Sequence, residues 1–231
     1  MTQPIKVDVF SDVACPWCYV GKRKLEAGIT EFEAANPGAK VEVEYHSYQL
    51  NPDMPVDYEG GQADYLASIK GFPLDQVAVM NQRLGAIAKD VGLDYDFEGM
   101  KMTNTHLAHQ LLQFAKSKGL QQQMKERIMS AHFVEGLHVG QVEQLAKLAA
   151  EVGLDPTEVI RILETGSYRD AVETDIAQAR EYGIQGVPFF VIQNKYGMEG
   201  AQNPDRFVYA FNTVLADQAK NDEELAAEAQ A

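Results

Sequence analysis

The only two cysteines of the chain, Cys15 and Cys18, stand three positions apart around Pro16 and Trp17. Three kinds of site could use such a pair: a redox-active dithiol, half of a metal site, or two structural thiols. A metal site with one C-x-x-C pair needs further Cys or His ligands, and no third cysteine exists. C-x-x-C beside a strand–helix–strand pattern therefore favours a dithiol that cycles between thiol and disulfide.

The predicted position of Cys15 is the junction of the first strand and its helix, because Pro16 suits the first helical position. Unpaired N–H groups and the positive end of the helix dipole favour a thiolate there, and a thiolate is the attacking species in disulfide exchange. Since Pro16 and Trp17 supply no cation, we predict a Cys15 pKa below the free value of about 8.5 but above roughly 3.5. Cys18 is predicted to be the resolving thiol.

Histidines are the remaining candidates for metal ligands. The chain has five of them: His46, His106, His109, His132 and His138. His106 and His109 lie three residues apart on a predicted helix whose apolar positions include Leu107, Leu111 and Phe114. We interpret both as residues of a solvated face, so no metal site is predicted.

The charge balance is acidic, with 20 basic and 34 acidic residues and a net charge of -14. This sign, without any run of Lys and Arg, argues against nucleic-acid or membrane-surface partners. No window approaches the roughly 18 apolar residues of a membrane span. The opening residues lack the pattern of a secretory signal. We therefore expect a cytoplasmic protein, in which structural disulfides are uncommon.

Apolar and polar residues alternate over 5–10 and 41–48, which predicts two strands, and a helical pattern fills 17–35 between them. Strand–helix–strand units place their strands side by side and parallel. Turn signals and helical periodicity make the middle of the chain all-helical. Strand character returns at 188–193 and at 197–200, and a last helix is predicted to start at Asn203-Pro204.

This order predicts an α/β fold with one discontinuous domain, residues 1–59 and 184–220, interrupted by an all-helical domain of residues 60–183. The segment 221–231, NDEELAAEAQA, lacks an apolar stripe and is predicted to be a disordered acidic tail.

Four segments, spread in order over nearly the whole chain, resemble the FrnE-like branch of the DsbA family. They are SDVACPWCYVGK (11–22), NTHLAHQLLQFA (104–115), GIQGVPFFVI (183–192) and GAQ (200–202). The resemblance implies a thioredoxin-like fold with an inserted helical domain, which agrees with the order of elements above. It also implies a dithiol–disulfide oxidoreductase or isomerase whose partners are protein or small-molecule thiols and disulfides.

The resemblance further implies that Pro188 is a cis-proline facing the two sulfurs and that the Val187 backbone pairs with an extended substrate. Pro16 and Trp17 would contribute to substrate binding, although a plain core position accounts for Trp17 equally well. Other positions that match family patterns are Asn51, Asn104, His106, Gly200, Ala201 and Gln202. Helix capping explains Asn104 as well as a binding role does.

The same branch resembles the kappa-class glutathione transferases and the 2-hydroxychromene-2-carboxylate isomerases, which bind glutathione and typically carry Ser where Cys15 stands. Both cysteines are present here, which favours thiol–disulfide exchange with no resident cofactor and with glutathione as a candidate co-substrate. The alternatives are a glutathione-dependent isomerase or transferase acting on a small organic molecule between the two domains, and a non-catalytic redox switch.

Overall fold

A single mixed sheet of four strands forms the centre of the molecule. The computed structural model describes residues 3–228, and the strands are β1 (Ile5–Ser11), β2 (Val41–Ser47), β3 (Phe189–Ile192) and β4 (Tyr196–Glu199). Their order in the sheet is β2-β1-β3-β4. β1 and β2 are parallel, whereas β3 is antiparallel to both β1 and β4.

Nine helices surround the sheet within these residues. They are α1 (Pro16–Ala35), α2 (Gln62–Ser68), α3 (Leu74–Asp90), α4 (His106–Ser117), α5 (Gln121–Phe133), α6 (Val142–Glu151), α7 (Pro156–Thr165), α8 (Arg169–Glu181) and α9 (Pro204–Glu228). The predicted order of strand–helix–strand, helical block and strand–strand–helix is confirmed. The limits of the two predicted domains stay predictions.

α1 and α9 cross on one face of the sheet. Leu25 and Phe32 of α1 pack with Phe207 and Phe211 of α9 in the same buried cluster as the strand side chains. A Cβ on Gly28 would lie 2.8 Å from the Cβ of Phe207. The absence of a side chain at Gly28 therefore allows the close approach of the two helices.

The helical block, α2 to α8, has its own core and also contacts the sheet. Side chains of α4 to α7 form the largest buried cluster, which includes Leu111, Ile128 and Leu148. Glu126 of α5 accepts hydrogen bonds from Lys22 at 2.6 Å and from Arg23 of α1. These ion pairs hold α5 next to the beginning of α1, and they lower the Glu126 pKa to about 2 against the opposing effect of burial.

The end of the chain differs from its prediction. α9 continues to Glu228, so residues 221–228 are helical where a disordered tail was predicted. Glu, Leu and Ala in this segment have high intrinsic helix propensity, which favours continuation of the helix. The predicted tail residues 229–231 lie outside the described part of the chain. Within residues 3–228 we find no helix with the length and apolar composition of a membrane span.

Candidate active site

The two cysteines occupy the first turn of α1, as predicted. Cys15 is the N-cap residue, with an extended backbone (φ -91°, ψ 111°), and Pro16 is the first helical residue. The Cys18 N–H donates to the Cys15 carbonyl at 3.0 Å. Both thiols are free, and their residues are only 4% and 3% exposed. The sulfurs therefore lie at the positive end of α1 but below the molecular surface.

The loop before β3 lies against Cys15. The peptide bond between Val187 and Pro188 is cis, as the family resemblance implied. The Cys15 Sγ donates to the Val187 carbonyl oxygen at 3.4 Å. A Cβ on Gly21 of α1 would lie 2.9 Å from the Cγ of Pro188, so the helix and this loop are in close contact. The roles of Val187 and Pro188 in substrate binding stay predictions.

The pKa shifts of the two thiols differ from the sequence-based prediction. The hydrogen bond to Cys18 and burial raise the pKa of Cys15 well above its ordinary value. Burial opposes the ionisation of Cys18 as well, but the thiol of Cys15 and the positive charge of Lys125 together lower the Cys18 pKa. A lowered Cys15 pKa was therefore the wrong prediction. The two thiols are coupled, so their ionisation belongs to the pair and not to either residue alone.

Beneath the dithiol lies a buried carboxylate that the sequence did not single out. Asp12 is 2% exposed and accepts hydrogen bonds from the Leu50 N–H at 2.8 Å and from His109 Nε2 at 3.2 Å. His109 is fully buried, so its predicted place on a solvated face is wrong. Burial lowers the His109 pKa, while the bonds from His109 and Leu50 outweigh burial and lower the Asp12 pKa. A neutral imidazole thus donates to an ionised carboxylate.

Lys125 is the buried cation of the site. It is 1% exposed, and its Nζ has no hydrogen-bond partner among the described residues. The ammonium lies 5.5 Å from the centre of the Tyr45 ring, within the range of a cation–π contact. Burial lowers the Lys125 pKa to about 8, although Cys18 and Asp12 oppose this shift. The positive charge of Lys125 is therefore sensitive to pH near 8 and acts on Cys18.

The position of Lys125 in the sequence contains an indication that it is buried. Lys125 is one helical turn before Met129, which packs in the same buried cluster as both cysteines. A charged residue on a buried helix face needs an electrostatic partner, because burial of an unpaired charge is costly. That partner comes from α1, about a hundred positions earlier in the sequence, so the pairing becomes evident only in the folded chain.

Pro16 and Trp17 form the rim of a cavity beside the dithiol. The Pro16 carbonyl accepts a hydrogen bond from the Tyr95 hydroxyl at 2.7 Å. Trp17 is 42% exposed, which excludes a plain core position. The cavity measures about 460 Å³, and most of the atoms around it are apolar. Its location next to the first turn of α1 makes it the natural candidate for a substrate-binding space.

Two of the remaining predicted residues, Asn51 and Asn104, support loops near the cavity. Asn51 donates to the Tyr65 hydroxyl at 3.3 Å, whereas Asn104 donates to two carbonyls of the 52–54 segment and accepts from the His106 N–H. The N-cap of α4 is Thr105, and Asn104, one position earlier, accepts from the first helical N–H. His106 lies away from the sulfurs, with Glu173 and Gln110 as its partners.

The GAQ segment lies beside the cis-proline loop. The Gly200 N–H donates to the Pro188 carbonyl at 2.8 Å, and Ala201 packs against the cluster that contains both cysteines. Gln202 turns back to the Glu199 carbonyl at 2.7 Å. Gly200 and Ala201 are therefore brought to the site, while the Gln202 side chain is engaged in its own turn.

One group of side chains with metal-ligand chemistry occurs in the described residues, on the half-buried side of β1 and β2 that contacts α8. Asp8, Glu44 and His46 have ligand atoms within 4.8 Å of one another. His46 contacts Asp8 through Nε2 and Asp175 through Nδ1, each at 2.8 Å, and Lys116 pairs with Glu44. These pairs balance much of the charge of the group, and we assign it a structural role.

The fold agrees with comparisons to known proteins. The family model for the DSBA-like thioredoxin domain matches residues 6–212, and the chain belongs to this family. A crystal structure of a probable DsbA oxidoreductase from Streptomyces coelicolor is 32% identical and superimposes with a TM-score of 0.85, covering 92% of this chain and 90% of the other.

Two further proteins are similar over most of their length. The uncharacterized protein YwbO of Bacillus subtilis is 29% identical over 94% of this chain and 98% of its own. The cytosolic disulfide reductase DsbM of Pseudomonas aeruginosa, solved with GSH, is 20% identical with a TM-score of 0.60, covering 91% of this chain and 99% of its own. At that identity DsbM supports the fold alone. The predicted fold class, thioredoxin-like with inserted helices, is confirmed.

Proposed function

We propose that this protein is a thiol–disulfide oxidoreductase or isomerase of the FrnE-like branch, with Cys15 as the attacking thiol and Cys18 as the resolving thiol. The observation that carries the proposal is the contact of Cys15 Sγ with the Val187 carbonyl at 3.4 Å, at the beginning of α1. A disulfide that pairs with the Val187 backbone would meet Cys15 before Cys18.

In the proposed reaction the Cys15 sulfur forms a bond to one substrate sulfur, and the other substrate sulfur leaves as a thiolate. The proton of Cys15 passes to the Cys18 thiolate as Cys15 attacks, and Cys18 then passes it on to the leaving thiolate, which becomes the first substrate thiol. Cys18 then attacks the Cys15 sulfur, and the second substrate thiol is released. The lowered pKa of Cys18 suits this second step, because resolution needs a thiolate at that position. The product is a Cys15–Cys18 disulfide and two substrate thiols.

Trapping with single cysteine variants tests the assignment. Cys18→Ser should accumulate mixed disulfides with a small disulfide such as 2-hydroxyethyl disulfide, because nothing displaces the captured half. Cys15→Ser should accumulate none. Mass spectrometry of the unreduced proteins gives the result, and equal trapping by the two variants would refute the assignment of roles.

Glutathione-dependent isomerisation or transfer on a small organic molecule is the second candidate, and the apolar cavity beside Trp17 favours it. It predicts glutathione binding that survives in Cys18→Ser and a reaction that consumes no disulfide. Calorimetric titration with glutathione, followed by turnover of 2-hydroxyethyl disulfide under dithiothreitol, separates the two candidates. The main proposal keeps the predicted cytoplasmic setting and needs no resident cofactor, and glutathione enters only as a co-substrate.

A further inference from the structure

The walls of the 460 Å³ cavity come from two sources. Ala14, Pro16 and Trp17 of the dithiol segment form one side. The helical hairpin α2–α3 and the segment after it form the other, with Tyr65, Leu84, Phe97, Met80, Met100 and Met102. Aromatic rings and polarisable methionine sulfurs make this surface adaptable to flat apolar ligands. The volume falls within the ~300–1,000 Å³ typical of small-molecule sites.

The charge at the cavity differs from that of the whole protein. The chain has a net charge of -14. Among the described residues around the cavity, Lys70 and Arg83 are basic and none is acidic. The two polar amides, Gln62 and Asn81, bond to each other at 2.9 and 3.1 Å. The free polar recognition groups are therefore cations, which complement a carboxylate.

Burial of the dithiol restricts what can reach it. With Cys15 4% exposed, its sulfur lies below the surface that the rigid surface of another folded protein would contact. A small molecule in the cavity instead contacts Ala14 and Pro16, the two residues that flank Cys15. The geometry of the site thus selects by size as well as by charge.

We propose that this cavity binds low-molecular-weight disulfides that have a flat apolar body and a carboxylate, and presents their sulfurs to Cys15. The inference rests on the proposed function and names its substrate class. Two electrons pass from the Cys15 and Cys18 thiols to the substrate disulfide. One S–S bond breaks in the substrate and one forms in the protein, and the two protons appear on the product thiols. An added dithiol such as dithiothreitol restores the reduced protein.

The test compares an anionic aromatic disulfide, 5,5′-dithiobis(2-nitrobenzoate), with a neutral one, 4,4′-dithiodipyridine. Each kcat/KM is divided by the uncatalysed rate constant with dithiothreitol, which removes the difference in intrinsic reactivity. In the double variant Lys70→Gln/Arg83→Gln the ratio of anionic to neutral substrate should fall about fivefold, since two partly exposed ion pairs are lost. The matched control Lys89→Gln/Lys101→Gln has the same charge change outside the cavity and should keep the ratio.

Filling the cavity supplies a second test that does not depend on charge. Met80 is 37% exposed at the cavity, so Met80→Trp adds volume there with little risk to folding. The KM for both aromatic disulfides should rise at least threefold. Unchanged constants in both variants would overturn the inference while leaving turnover of 2-hydroxyethyl disulfide, and thus the proposed function, intact. Faster normalised reduction of insulin than of either aromatic disulfide would also overturn it.

Discussion

Among single residues, the unusual feature of the site is Lys125, which is buried and has no hydrogen-bond partner among the described residues. Its charge lowers the pKa of Cys18. An ammonium without hydrogen bonds in the interior is costly, and here a thiolate and the Asp12 carboxylate compensate for it. The lysine charge favours the reduced, ionised dithiol over the neutral disulfide. Lys125 therefore acts on the site through Cys18, because its positive charge stabilises the Cys18 thiolate.

Lys125→Met should raise the pKa at which the reduced pair first ionises, because the attraction between the ammonium and the Cys18 thiolate is lost. The pH profile of alkylation of the reduced protein measures this pKa, and the midpoint should move to higher pH. The reduction potential should become more negative, since the reduced form loses stabilisation. Lys147→Met, which removes an exposed charge from α6, serves as control. Coinciding profiles for the two variants would contradict the role of Lys125.

Gly21 is the residue that permits contact between α1 and the cis-proline loop. Gly21→Ala places a methyl group 2.9 Å from Pro188 Cγ, a distance that requires the loop to shift. The alanine gains up to ~1 kcal/mol in helix propensity, but overpacking costs about 1–3 kcal/mol. We expect a net loss of about 1 kcal/mol or more in the free energy of unfolding, measured in urea. Gly186→Ala, where a Cβ meets open space, should change it little.

At the scale of elements, His46 joins three of them. It lies on β2 and contacts Asp8 on β1 and Asp175 on α8, with Glu44 and Lys116 nearby. Burial disfavours the imidazolium, but the bonds to Asp175 and Asp8 outweigh burial and raise the His46 pKa from 6.5 to about 9. The protonated ring thus attaches the helical block to the sheet.

The stabilisation from His46 should be fully present below about pH 6.5 and should disappear as the pH rises through about 9. The shift corresponds to at most about 3 kcal/mol. The difference in unfolding free energy between wild type and His46→Gln should therefore be largest near pH 6 and shrink by pH 10. Both proteins contain the thiols and Lys125, so the effects of these groups on the unfolding free energy cancel in the difference. A flat difference for His46→Gln would contradict the imidazolium link.

The order of elements was predictable because each one depends on local patterns. The alternation of apolar and polar residues predicted β1 and β2. The turn residues indicated the limits between helices of the helical block. His109 was misplaced for a physical reason: its helix, α4, is buried on nearly all sides, so the apolar stripe no longer marks the single inner face. Local periodicity cannot identify a polar residue that faces a second layer of structure.

At the scale of the whole molecule, the dithiol lies where the sheet domain and the helical block meet. The loop after β1 supplies Asp12 and the loop before β3 supplies the Val187 carbonyl, whereas the helical block supplies His109 and Lys125. The sequence predicted the position of the sulfurs and the helical block, and the family resemblance implied the cis-proline. It did not predict the depth of the sulfurs or the charges below them, because both arise from segments separated by about a hundred positions. The inserted helices therefore contribute residues to the surroundings of the dithiol.

The account depends most directly on the ability of Cys15 and Cys18 to link and unlink reversibly. The protein should be equilibrated in glutathione buffers of stepped composition, quenched by alkylation and weighed by mass spectrometry. We predict a single two-electron transition between a doubly alkylated form and an unalkylated form lighter by two hydrogens than the dithiol, traversed equally in both directions. A pair that stays doubly alkylated throughout the series, or that accumulates only glutathione adducts without the internal link, would contradict the central claim.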